Sequence, residues 1–205
     1  MITAEEALKK LQDGNHRFIS GLRSIETLIK QTQRSDLVEE QAPFAIILGC
    51  SDARVPAEIV FDQGLGDLFV IRVAGNIVAP SQIGSVEFAV EKFGTPLVVV
   101  LGHSNCGAVI ATLDALEHPS EQQSSNVLSI VGRIKPTVEI VFEAAHDKDP
   151  KQLLESAIRA NILASTNQLR HGSQMLEQLI QKGELTIVGA EYSLETGKVE
   201  FLTDV

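Results

Sequence analysis

Pro96-Leu-Val-Val-Val-Leu-Gly102, followed at once by His103-Ser-Asn-Cys106, is the stretch on which the fold turns. Five consecutive apolar residues, three of them β-branched, stand between a proline and a glycine. Such a run reads as a strand buried on both faces. Phe44-Ala-Ile-Ile-Leu-Gly49, Asp67-Leu-Phe-Val-Ile-Arg72 and Leu185-Thr-Ile-Val-Gly-Ala190 read the same way. Helical patterns lie between them, over Ser81 to Phe93, Asn105 to Leu116, and Asn126 to Ile180. The last region is expected to break near Pro136 and again at Asp147 to Pro150. Apolar strands alternating with helices imply an α/β fold: a mainly parallel central sheet with helices on both faces. Lys198-Val-Glu-Phe-Leu202 alternates and follows the turn residues Glu195-Thr-Gly197, which predicts one antiparallel edge strand.

Upstream, Thr3 to Phe18 reads as an amphipathic helix with Thr3 as cap and Glu5 and Glu6 in its first turn. A short helix is expected around Ser24 to Gln31. With no repeat or linker, the reading is one domain over 1–205: an N-terminal helical arm (1–40) and an α/β core (41–205).

The chain has 205 residues, is 44% hydrophobic and carries a formal net charge of -10. That charge repels nucleic acid and anionic membranes, and no basic stripe offsets it. No apolar stretch approaches the ~18 residues that span a bilayer. Met1-Ile-Thr-Ala-Glu-Glu-Ala-Leu-Lys-Lys lacks the basic flank and apolar run of a secretory signal, so a cytoplasmic protein is expected. A structural disulfide between its two cysteines, Cys50 and Cys106, is not expected in that compartment. Free cysteines are often small buried hydrophobes, but the neighbours of these two argue otherwise.

In open parallel sheets, ligands gather beyond the carboxyl ends of the strands. Cys50 immediately follows the first strand; His103 and Cys106 follow the third. If those strands are neighbours, three metal-type ligands converge. Thiolate and imidazole suit zinc. The i, i+3 spacing of His103 and Cys106 can set both on one face of a loop entering a helix, whose N-terminus favours a thiolate. Three protein ligands leave a tetrahedral zinc one position for water, the mark of a catalytic site. No third cysteine exists, and His16, His118, His146 and His171 lack ligand-like spacing. Asp52 and Arg54 leave two readings open. They form a local ion pair that holds the loop, or Arg54 keeps Asp52 ionised so that it touches the zinc-bound oxygen or ligates zinc itself.

Cys50-Ser-Asp-Ala-Arg-Val55 and His103-Ser-Asn-Cys-Gly107 together resemble the two signature motifs of β-class carbonic anhydrases. The similarity extends through Pro56-Ala-Glu-Ile, Asp67 to Arg72, Gly75-Asn76 and Glu87-Phe-Ala-Val90. It implies Cys50, His103 and Cys106 as ligands of one Zn2+ per chain and Asp52 with Arg54 as a catalytic dyad. Gln41, Phe69, Phe88 and the Gly107 amide would bind substrate. The implied activity is zinc-dependent, reversible hydration of carbon dioxide to bicarbonate and a proton, through zinc-bound hydroxide. The implied assembly is a homodimer or dimer-based tetramer, with pocket residues shared between chains and the N-terminal helix embracing the partner. A bicarbonate-regulated branch uses Trp, Arg and Tyr. Arg72 and Tyr192 could match two of these, but the chain has no Trp and Ile47 stands in its place, which favours the plant-like branch. Ala74 is smaller than the valine typical of that branch's pocket.

Four other readings compete with this one. Carbon disulfide or carbonyl sulfide could replace carbon dioxide at the same site. A non-catalytic zinc or bicarbonate sensor would need a closed or degraded site. A nucleotide-binding protein would need more than the fragment Gly64-Leu-Gly66. A thiol enzyme would use Cys106 with His103 as base, yet two cysteines beside a histidine fit metal better.

Overall fold

The computed structural model describes residues 2–32, 38, 41–118, 124–145 and 149–202. The strands β1 (Ala45–Gly49), β2 (Leu68–Arg72), β3 (Leu97–His103), β4 (Thr186–Tyr192) and β5 (Val199–Leu202) form one sheet in the order β2-β1-β3-β4-β5. All pairings are parallel except β4 with β5, as the alternating pattern at the end of the chain predicts. From β1 the sheet grows to β2 on one side and to β3 on the other. The β1/β3 boundary is therefore the topological switch point. Gly49 there lies beside Leu101, so Cys50 leaves β1 next to the end of β3.

Every residue of β1 and β3 is buried, and alternate side chains enter two separate cores. Ile46, Leu48, Val98 and Val100 pack with residues of α4 (Pro80–Phe93), α5 (Gly107–Glu117), α6 (Ser125–Glu143), α7 (Pro150–His171) and α8 (Gln174–Gln181). Ala45, Ile47, Val99 and Leu101 pack with residues of α1 (Ala4–Ile19) and α3 (Ala57–Val60). Coverage on both faces explains the unbroken apolar runs. Gly102 lets α7 approach β3, because a Cβ there would meet Ile162 at 2.4 Å.

Within the N-terminal arm, α1 starts on a capping box between Thr3 and Glu6 and buries Ala7 and Leu11 against the sheet. Asn15, also on its buried face, donates to the carbonyls of Val60 (3.1 Å) and Gly197 (2.9 Å) and accepts from the Val199 amide (2.9 Å). One side chain thus joins α1, α3 and the start of β5. Asn15→Ala strands these backbone groups at a cost of about 1–3 kcal/mol each. Urea unfolding at fixed protein concentration should give a loss of about 3 kcal/mol; a change within about 0.5 kcal/mol would show that water satisfies them. The short helix α2 (Ile25–Thr32) follows.

One expected break is absent. Pro136 lies inside α6 without ending it. Proline removes one helical hydrogen bond and crowds the preceding turn. Val131, Ile134 and Val138 are buried on both sides of it, and this continuous apolar stripe holds the helix together. The break expected at Asp147 to Pro150 falls partly outside the described residues, as does His146; α7 begins at Pro150. A further break, not expected, separates α7 from α8 at Gly172-Ser173, where the Ser173 hydroxyl caps α8 by accepting from the Leu176 amide. Among the described residues, no helix is long and apolar enough to cross a membrane.

Candidate metal centre

Cys50 is the first residue after β1, His103 the last of β3, and Cys106 the N-cap of α5. All three are buried, and one ligand atom from each lies within 4.8 Å of the other two. Asn105 supplies the turn between His103 and Cys106 with φ +54°, a left-handed conformation that asparagine tolerates. That turn is why the i, i+3 spacing brings both ligands to one point.

The imidazole orientation is fixed from behind. His103 Nδ1 lies 2.9 Å from the Ser104 carbonyl, to which it donates when protonated. Ser104 is itself stapled to β4: its amide donates to Tyr192 (3.0 Å), and its hydroxyl accepts from the Leu194 amide (2.9 Å). The other ring nitrogen, Nε2, is fully buried without a hydrogen-bond partner. A buried bare lone pair is costly unless something binds it. Metal-ligating histidines carry this arrangement, one nitrogen tied to a carbonyl and the other free for the metal.

Contact with Cys106 holds the Cys50 thiol well below the usual range despite its burial. The same contact, helped by burial, pushes the Cys106 thiol up. A dication between the two sulfurs would displace thiol protons and leave two thiolates. Burial works against the His103 imidazolium, but the Cys50 sulfur, the Ser104 carbonyl and the Asp52 carboxylate together outweigh it and raise the ring's pKa.

Asp52 stands at the edge of the cluster with Oδ2 3.9 Å from His103 Nε2. Arg54 grips its carboxylate in a fork, Nε to Oδ1 at 2.9 Å and Nη2 to Oδ2 at 2.7 Å. The Arg54 amide adds a third bond at 3.0 Å. This grip holds the Asp52 carboxyl well below the usual carboxylate range, against its partial burial. Gly107 opens α5 beside Cys106, with nothing within 4 Å of where its Cβ would be.

Three expected pocket residues lie apart from the cluster within one chain. Gln41 precedes the amino end of β1, while Cys50 follows its carboxyl end. A five-residue strand alone separates those ends by roughly 16 Å. Phe69 pairs with Ile46 near the start of β1 and packs with Phe88 and Phe93 at ring separations of 6.3 and 6.1 Å. This aromatic cluster borders β2, the edge strand of the sheet among the described residues, and Phe88 is 53% exposed.

Sequence reasoning missed how the Cys50 loop is held. Arg72, at the end of β2, donates Nε to the Cys50 carbonyl (3.0 Å) and Nη2 to the Asp52 carbonyl. The Gly75 amide lies 3.4 Å from Cys50 Sγ and donates to it. An arginine closing an apolar strand and the pair Gly75-Asn76 were the available signals.

The family described as carbonic anhydrase matches residues 45–199. A carbonic anhydrase of Mycolicibacterium smegmatis is 39% identical over 194 residues, spanning 95% of this chain and 91% of its own length. Carbonic anhydrase 2 of Mycobacterium tuberculosis is 37% identical over 192 residues, spanning 94% and 89%. The solved β-carbonic anhydrase CcaA superposes with a TM-score of 0.77 at 25% identity, covering 96% of this chain and 95% of that one. The chain belongs to the β-class carbonic anhydrases. Tetrameric β-carbonic anhydrases of Sordaria macrospora share the fold, with a TM-score of 0.75 at 22% identity over 87% of this chain and 90% of theirs. For a β-carbonic anhydrase the Cys50–His103–Cys106 cluster is a fitting metal centre: the donors suit a borderline-soft dication, and an orphaned nitrogen faces it.

Proposed function

We propose that this chain is a zinc enzyme hydrating carbon dioxide reversibly to bicarbonate and a proton, with one Zn2+ held by Cys50, His103 and Cys106. The buried, unpartnered Nε2 of His103 facing two sulfurs carries the reading. Zinc bound there would supply Lewis acidity, bringing the pKa of a water from about 15.7 towards about 7. Two thiolates donate more charge than imidazoles and temper that acidity. Asp52 offsets this by accepting a hydrogen bond from the attacking oxygen, which aims a lone pair at the carbon. Arg54 occupies both carboxylate oxygens of Asp52 and so competes with the metal for them. The Gly107 amide, at the N-terminus of α5, donates to the oxygen that gains charge.

The remaining pocket comes from a second copy of the chain. Gln41, Phe69 and Phe88 are remote from their own cluster, and the two rings, one on β2 and one on α4, lie where no further strand follows β2 among the described residues. Leu22, Ile25 and Leu28 are exposed at and before α2, a face suited to a partner. Ile25→Glu with Leu28→Glu should therefore give a monomer that keeps its zinc but hydrates carbon dioxide about a hundredfold more slowly. Light scattering with metal analysis and stopped-flow rates checks this; a fully active monomer would confine the pocket to one chain. For the plant-like branch, Ile47 is wholly buried in the sheet core, and Arg72 is engaged by the Cys50 and Asp52 carbonyls.

Stopped-flow carbon dioxide hydration tests the function. Activity should vanish after chelation and return on adding zinc. Zinc-loaded protein with no hydration above buffer would overturn the proposal.

A further inference from the structure

Asn161 is a polar residue in the apolar face of α7, only 3% exposed among Ile158, Ile162 and Leu169. Its Nδ2 donates to the Gly75 carbonyl at 2.8 Å in a fully buried bond. Gly75 sits in the 3-10 turn Ala74–Asn76 with φ +71° and ψ 18°, wedged between α5 and α6. A Cβ there would lie 2.7 Å from Ile134 and 3.0 Å from Ala108. The next amide, of Asn76, donates to the Val73 carbonyl at 3.1 Å. With its carbonyl and the following amide both anchored, Gly75 presents its own amide to Cys50 Sγ.

A glycine in the left-handed region has access to many other conformations. Nothing in its own side chain holds Gly75 in this one. The tether from α7, 86 residues away in sequence, does so. Hydrogen bonds to a ligating sulfur withdraw charge from it and tune the metal it holds. The amide at Cys50 makes that sulfur a weaker donor than it would be without the bond, and so leaves the metal more acidic.

We propose that Asn161 is a positioning residue that locks the Gly75 amide onto the Cys50 thiolate and thereby sets how much charge that ligand gives the metal. The inference rests on the zinc reading above. It separates from that reading because a spectroscopic signal, not turnover, reports it.

The test uses cobalt- and 113Cd-loaded protein. In the native 113Cd protein, the Gly75 amide proton should show scalar coupling to the metal through the sulfur. Asn161→Asp keeps the shape but loses the donor; Asn161→Ala loses both. In either variant that coupling should fall or disappear. The sulfur-to-cobalt charge-transfer band should move to longer wavelength, because a sulfur freed of its hydrogen bond yields charge more easily. Metal stoichiometry should be unchanged. A native protein without the Gly75 coupling would overturn the proposal even if neither variant folds. So would a folded variant with an unshifted band and undiminished coupling. Failure of the zinc reading looks different: native protein would then show no thiolate-to-cobalt band at all.

Discussion

Cys106→Ser should leave a folded protein that holds no zinc and does not hydrate carbon dioxide above the buffer rate. Serine is a poor zinc ligand because its hydroxyl stays protonated where a thiol ionises. One thiolate and one imidazole then remain, too few to hold the ion. The substitution is mild for the fold. Position 106 is the N-cap of α5, where cysteine makes no side-chain cap bond and serine is among the best capping residues. Circular dichroism should therefore be unchanged while metal content falls to background. Should the variant retain zinc in stoichiometric amount and full activity, Cys106 is not a ligand and the site is wrongly assigned.

Asp52→Asn should do the opposite: keep the zinc and slow the reaction. The amide matches the carboxylate in shape but carries no charge, so the fork from Arg54 loses its anionic partner. Where a carboxylate accepts a hydrogen bond from the attacking oxygen, the amide can present its donor side instead. The loss should be on the order of a hundredfold in kcat/KM, the lower end for removing a positioned proton-handling group. Unchanged rates across pH would leave Asp52 as a loop-holding ion pair only. The geometry joins both meanings of that pair, since Oδ2 is held by Arg54 and lies 3.9 Å from His103.

The ligand set was legible because each member adjoins a strand end, and strands are the strongest signal in this sequence. Phe44 to Gly49 and Pro96 to Gly102 are apolar throughout because β1 and β3 are covered on both faces. What the sequence does not display is which strands are neighbours. The β1–β3 pairing turns three scattered residues into one cluster. Pro136 misled because a proline's local preference is weaker than the burial of Val131, Ile134 and Val138 around it. The end of α7 was missed although Gly172-Ser173 offered a helix stop followed by a cap. The grip of Arg72 and the tether of Asn161 are contacts across 20 or more residues, between elements whose packing no local pattern encodes.

X-ray absorption at the zinc edge of the purified protein tests the central claim most directly. The account predicts one zinc per chain with two sulfurs near about 2.3 Å, one nitrogen near about 2.0 Å and a single light oxygen scatterer. A third sulfur, a second imidazole, or protein that binds no zinc when it is supplied would contradict it.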